Sequence, residues 1–236
     1  MKRIVVFIFF SIFLHTAAHA TWSIIVIDSR TKEIGIAGAS CTYSVYGIGA
    51  IIPGKGAVVV QAMSNSNARS KGLELLQAGM APEKILQAMM DARFEPEKQQ
   101  YAIVSLNYPD QPAVYTGTAT TGHKGTLTTS GISVQGNTLS SPDELLEIMK
   151  AVIKAQQDSL RIEDVLMLAL EAGAKYGGDK RCGETKAFSA FLTVARPGDD
   201  KNNPFINLII NQTGENVNAV ESLRVTYNKW KAGKKR

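Results

Sequence analysis

Helical segments in this chain come in pairs, with groups of strands before, between and after them. Trp22 to Asp28, Ile34 to Ser40, Gly47 to Ile52 and Ala57 to Ala62 carry strand patterning. Helical spacing follows around Ala68 to Gln77, with Leu73 and Leu76 on one face, and again from Pro82 with Ile85, Leu86 and Met89. Strand patterning returns at Tyr101 to Leu106, Ala113 to Gly117 and, past a Gly/Thr-rich stretch, Ile132 to Gln135. A second helix pair spans about 141–157 and 162–176. It opens on Ser141-Pro142-Asp143-Glu144, which reads as an N-cap Ser, Pro at the first helical position and a capping-box Glu. Two late strands, Ala187 to Ala195 and Phe205 to Asn211, and a final helix over Val217 to Lys231 complete the pattern. This order is incompatible with a regular βαβ alternation and predicts antiparallel sheets covered by helices, an α+β fold in layers. Pro53-Gly54-Lys55-Gly56 marks one hairpin, and Ser29 to Lys32 another. The small residues of I-G-I-A-G-A-S at 34–40 predict close packing or a ligand against the backbone. No internal repeat or linker divides the 236 residues.

The first 20 residues read as a leader. Lys2-Arg3 is a positive n-region, Ile4 to Leu14 is an almost unbroken apolar run, and Ala18-His19-Ala20 is a small-x-small cleavage signal. The run is shorter than the roughly 20 residues that span a bilayer, and no later segment reads as a stable membrane span. The expectation is a cleaved signal peptide over 1–20, a single mature domain over 21–236 with a basic tail at about 229–236, and a periplasmic or secreted location. Setting aside two positive charges in the leader and five in the tail turns the formal +5 into −2 for the rest. A body of that charge does not point to nucleic acid as a partner. In an oxidising compartment Cys41 and Cys182 are expected to form a disulfide; the competing reading is two separate buried thiols.

Cleavage also removes His15 and His19 and leaves His123 as the mature chain's single histidine, in a Gly-His-Lys-Gly segment that reads as a turn. A zinc site built on several imidazoles is then out of reach, and a His-based triad would have to use His123. No metal or organic cofactor is expected. The new first residue is Thr21. A threonine hydroxyl needs a base, and an N-terminal threonine carries one, because its α-amine titrates near ~7.7–8.0. Only a first residue qualifies, since an amide nitrogen is not basic.

Several segments then resemble one family. They are T-W-S-I-I-V-I-D at 21–28, I-G-I-A-G-A-S at 34–40 and G-A-V-V-V-Q-A-M-S-N at 56–65, followed by G-L-E-L-L-Q-A-G at 72–79, V-Q-G-N at 134–137 and G-G-D-K-R at 177–181. In this order they resemble the DUF1028 family, which is grouped with the N-terminal nucleophile (Ntn) hydrolases, from Thr21 to about Val194. The resemblance implies a four-layer αββα sandwich of two mostly antiparallel sheets, with Thr21 in the nucleophile position. The chain departs from the family pattern after Arg181, where Cys182-Gly183-Glu184-Thr185-Lys186-Ala187 stands for Gly-x-Gln-Ser-Ala-Ala, and at the end of the second strand, where Cys41 follows Ala39-Ser40.

Candidate roles follow. Ser64 and Asn65, and Gly136 with Asn137, are candidates for oxyanion donors; the competing readings are a helix-capping loop and a turn. Gln61 and Gln135 line the cleft or else are buried amides in need of partners. Asp179 is a candidate to orient the Thr21 ammonium or a substrate amine, against a helix-end loop. Arg69 and Arg181 are candidates to hold a substrate carboxylate, against simple surface charge. Lys55 is weighed as a modulator of the Thr21 hydroxyl, against an exposed turn. The function expected is an exported Ntn-type amidohydrolase acting on a small or peptide-like amide. The alternative is a non-catalytic binding or structural protein of the envelope on the same scaffold. Folds of this kind often form homo-oligomers, but the sequence fixes no stoichiometry.

Overall fold

The computed structural model describes residues 21–234; the expected signal peptide and the last two basic residues, Lys235 and Arg236, lie outside the described residues. Ten strands form two antiparallel sheets. The larger contains β1 (Thr21–Ile27), β2 (Ile34–Ser40), β7 (His123–Thr129), β8 (Ile132–Leu139), β9 (Ser189–Ala195) and β10 (Ile206–Ile210), in the order β10-β9-β2-β1-β8-β7. The smaller contains β3 (Gly49–Ile52), β4 (Gly56–Ala62), β5 (Gln99–Ser105) and β6 (Tyr108–Thr116), in sequence order. Helices α1 (Ser66–Gln77) and α2 (Pro82–Met89) follow β4; α3 (Glu144–Gln157) and α4 (Ile162–Lys175) follow β8; α5 (Ala219–Lys234) closes the chain.

Side chains alternate along β1 and sort into two cores. Trp22, Ile24 and Val26 pack with α3, α4 and α5, including Ile148, Leu166 and Leu223. Ile25 and Ile27 point the other way and meet Val59 and Val104 of the smaller sheet. A third core joins Val58, Val60 and Ile103 to Ala68, Leu76, Ile85 and Met89 of α1 and α2. Both faces of β1 and β4 are therefore buried, which is why these strands read as nearly continuous apolar runs. Each fully buried aliphatic side chain of this kind contributes about 1.5–3 kcal/mol.

The small residues of β2 serve close packing. A Cβ on Gly35 would lie 2.4 Å from Leu166 Cδ1 of α4, and one on Gly38 would lie 2.9 Å from Phe191. Gly173 of α4 plays the same part against β1, where an added Cβ would sit 2.4 Å from Trp22 Nε1.

The structure differs from the sequence expectation at four places. His123 begins β7 instead of lying in a turn; the strand is largely exposed and Thr-rich, so it lacks an apolar signature. Ser141 does not cap α3. The helix starts at Glu144 with Asp143 as N-cap, and Ser141 Oγ accepts the Asp143 N–H at 3.2 Å. Glu144 is drawn into the core instead of reaching back to Ser141. Residues 229–234 continue α5 instead of forming a tail, with Lys231 paired to Asp164 and Lys234 over the Phe205 ring. Lys55, by contrast, lies in the β3–β4 turn in keeping with its turn reading, at the opposite end of β4 from Ala62, some ~20 Å along a seven-residue strand. Among the described residues no helix is long and apolar enough to cross a membrane.

Gly173→Ala tests the α4–β1 fit. An alanine in an exposed helix interior would gain up to ~1 kcal/mol, but here the new methyl overlaps the Trp22 indole. Urea unfolding followed by tryptophan fluorescence is expected to show a net loss of about 1–3 kcal/mol.

Candidate active site

Thr21 opens β1 at the centre of the larger sheet, in register with Ser40 on one side and Asn137 on the other. It is 3% exposed, and its Oγ1 donates to Ser40 Oγ at 3.3 Å. Thr42 Oγ1 donates to the same Ser40 oxygen at 3.2 Å. Alternation along β1 aims the Thr21 side chain, like Ser23 and Ile25, toward the gap between the sheets. There it lines a cleft of about 340 Å³ together with Tyr46, Ile48, Met63, Ser64 and Arg69.

Behind the cleft lies a buried amide network. Gln100 Oε1 accepts from Gln61 Nε2 and from Asn137 Nδ2, both at 2.9 Å. Its Nε2 donates to Gly136 O at 2.9 Å and Thr116 Oγ1 at 3.0 Å. Ser23 Oγ donates to Gln61 Oε1 at 2.6 Å, and Gln61 Nε2 reaches Thr21 O at 3.4 Å. Gln135 Nε2 donates to Ser23 Oγ at 3.3 Å. Gln61 and Gln135 are thus buried amides of the inter-sheet layer; Gln61 is partnered at both its oxygen and its nitrogen, whereas Gln135 is partnered through Nε2 and its Oε1 has no partner among the described residues. Gly136 and Asn137 stand beside Thr21 on β8, with the Gly136 carbonyl and the Asn137 amide engaged by Gln100.

Ser64 and Asn65 divide. Asn65 is the N-cap of α1: its Oδ1 accepts from Asn67 N and Ala68 N, each at 3.0 Å, and its Nδ2 donates to Phe94 O. Its backbone N–H is held by Gln99 Oε1 at 3.1 Å. Ser64 lines the cleft, with its backbone at φ +52°, and Ala62 two residues earlier at +70°. Two non-glycine residues in the left-handed region cost of order 1–3 kcal/mol each and persist only where the surroundings hold them. Here Asn65–Gln99 and a Met63 N–H to Lys98 O bond at 3.3 Å do so.

Asp179 and Arg181 belong to a brace at the cleft's flank. Asp179 is fully buried and accepts the Cys41 N–H at 2.6 Å, the Arg181 N–H at 3.0 Å and Arg181 Nη2 at 2.7 Å. Cys41 and Cys182 form a disulfide with a Cα–Cα distance of 5.5 Å across a sequence separation of 141. In the chain-entropy account a closed loop of that size stabilises the fold by roughly 5 kcal/mol. Arg69, by contrast, projects from α1 into the cleft, half-buried. His123 lies outside this cleft, against Leu139, Pro142 and Leu145. Among the described residues no group of three or more His, Cys, Asp and Glu is arranged to hold a metal.

Sequence reasoning missed Ser40 and Gln100. Ser40 ends a strand of small residues and carries no signal of its own. Gln99-Gln100 ahead of an apolar strand was legible as a polar pair, but its direction depends on the pairing of β5 with β4.

Two tests follow. Gln100→Leu keeps the volume but strands the Gln61 and Asn137 amide N–H groups, and is expected to cost roughly 2–4 kcal/mol in urea unfolding. Glu144 at the start of α3 is the second case. Burial raises its pKa from 4.5 to about 9, and neighbouring Asp179 adds to the rise, against a backbone N–H of Gly178 and the charge of Lys186. The folded state holds the proton that the unfolded chain releases, so stability falls as pH climbs from about 4.5 through about 9. Glu144→Gln removes that penalty. Its melting temperature relative to the parent is expected to rise by several degrees between pH 5 and pH 9, read by thermal scans.

The comparisons with known proteins agree with this architecture. The chain resembles the crystal structure of protein SPO2555 from Silicibacter pomeroyi, itself assigned to DUF1028, with a TM-score of 0.75 and 24% identity over 89% of this chain and 85% of that one. At that identity the likeness speaks to the fold. No curated protein matches the chain. The family described as a family of unknown function (DUF1028) matches residues 21–220, and the chain belongs to that family.

Proposed function

We propose that the protein is an exported amidohydrolase of the Ntn type, with Thr21, freed by removal of residues 1–20, as its nucleophile. The observation that carries this reading is the position of Thr21: first residue of a doubly buried central strand, with its hydroxyl at the base of a cleft. The order of the cores, helices on sheet on sheet on helices, supports assigning the four-layer αββα sandwich of that superfamily.

In the proposed reaction the Thr21 Oγ1 forms a bond to the amide carbonyl carbon while the α-amine takes the hydroxyl proton. The tetrahedral intermediate expels the amine, which receives that proton, and leaves an ester on Oγ1. Water attacks the ester, releases the carboxylic acid and returns the proton to Oγ1. Ser40, within hydrogen-bond distance of Oγ1, orients the hydroxyl. The developing oxyanion needs donors aimed at the cleft. The Ser64 N–H is the better candidate than that of Asn65, because it makes no hydrogen bond among the described residues, whereas Asn65 N–H is taken by Gln99. Gly136 and Asn137 support Thr21 by positioning its strand.

A second reading, a non-catalytic envelope protein on the same scaffold, draws on the commitment of Asn65, Asp179 and Arg181 to structural bonds.

N-terminal sequencing of the exported protein is expected to begin at Thr21, and a β-lactone electrophile is expected to add one equivalent to it. Thr21→Ala should abolish labelling while leaving the free energy of urea unfolding within about 1 kcal/mol of the parent. A mature chain starting elsewhere, or labelling that survives the substitution, rules out this nucleophile.

A further inference from the structure

We infer that Arg69 is the anchor for a carboxylate, so that the molecule taken into the cleft is a small amide bearing one free carboxyl group. For the location of the scissile bond the inference rests on the Thr21 reading; for the binding of the anion it does not.

Three observations converge. First, among the described residues Arg69 is the one charged side chain lining the cleft, and no Asp or Glu lines it. The site therefore carries uncancelled positive charge. Second, the Arg69 guanidinium makes no hydrogen bond or ion pair among the described residues, although Arg30, Arg93, Arg161, Arg181, Arg196 and Arg224 each have a carboxylate partner. A half-buried guanidinium with empty donors is costly unless something outside the chain fills them. Burial alone accounts for the lowering of its pKa, with no opposing acid to offset it. Third, two large apolar side chains stand exposed in the lining beside the smaller Thr42, Ser44 and Ser64: Tyr46 and Met63 are 47% and 44% exposed. Tyr46 is not loose, because its ring packs edge-on against Phe191 with centroids 5.6 Å apart and its hydroxyl accepts from Asn207 Nδ2 at 3.2 Å.

The guanidinium fork matches the two oxygens of a carboxylate in one plane. Arg69 is the one cationic side chain of the described lining, which suits a ligand with a single carboxylate; inorganic phosphate is the competing anion in the test below. An apolar group then lies against Tyr46 and Met63 while the amide carbonyl faces Thr21 and Ser64. A cleft of about 340 Å³ holds a ligand of that size, at the small end of ligand sites.

The test is calorimetric titration of the mature Thr21→Ala protein with N-acetyl-leucine and with its carboxamide, which differ at one group, an anionic carboxylate against a neutral amide of similar size. The acid is expected to bind at least ~10-fold more tightly than the carboxamide, as a charge-assisted pair requires. Arg69→Met should erase that difference, and Arg69→Lys should keep a part of it, having the charge without the fork. Equal binding of acid and carboxamide, binding of neither, a preference that survives Arg69→Met, or displacement of the acid by inorganic phosphate would each overturn the inference. The outcome is separable from that of the nucleophile. If the acid preference depends on Arg69 but Thr21 is never labelled, the hydrolase reading falls and the carboxylate site stands.

Discussion

Two sheets packed face to face leave little room for polar groups, yet this pair carries a row of amides at one end of the interface. Gln100 from the smaller sheet meets Gln61 of its own sheet and Asn137 of the larger one, and the three share donors and acceptors in a layer closed to water. In that low dielectric each bond is strong and each missing partner is expensive. The sheets are thereby held at a fixed spacing and register at the end where Thr21 sits. An all-apolar interface would fill the same volume but would allow sliding. The cleft exists because this end is pinned by directional bonds and the opposite end is filled by Ile25, Ile27, Val59 and Val104.

A second restraint lies at the flank. Cys41 follows Ser40, so the bond to Cys182 and the Asp179 clamp on the Cys41 N–H both act one residue from the hydroxyl that touches Thr21. The structure joins the loop after β2 covalently to the segment after Arg181. Asp179 and Arg181, weighed as substrate contacts against a loop and surface charge, are bonded to each other, and Asp179 also to the Cys41 N–H. Ser64 and Arg69 line the cleft itself.

Much of the fold was legible in the residues. The doubly buried strands β1, β2 and β4 announced themselves as apolar runs, the Pro53-Gly54 turn as a hairpin, and the paired helices as coverings for sheets. β7 was not legible, because an exposed edge strand of Thr, Gly, Lys and His owes its form to pairing with β8 and not to burial. Glu144 misled for a related reason. Its spacing from Ser141 matched a capping box, but the pull of tertiary packing beside Gly178 outweighed the local bond. Within the site, Thr21 followed from a chain-end argument and Arg69 from charge. Ser40 and Gln100 depend on strand register, and register is fixed only once distant segments have met.

The strand order carries a further consequence, for the timing of assembly. β1 (ending at Ile27) pairs with β8 (starting at Ile132) and β2 (ending at Ser40) with β9 (starting at Ser189), so the two central strands of the larger sheet find their outer neighbours only after a long stretch of chain has followed them. Until then the first hairpin offers two unpaired apolar edges to whatever is nearby. Long-range pairings of this kind make folding slow and leave intermediates prone to association. The chain must be kept apart from its own copies until its last third has emerged, and the joining of Cys41 to Cys182 serves as a chemical timestamp for that late event.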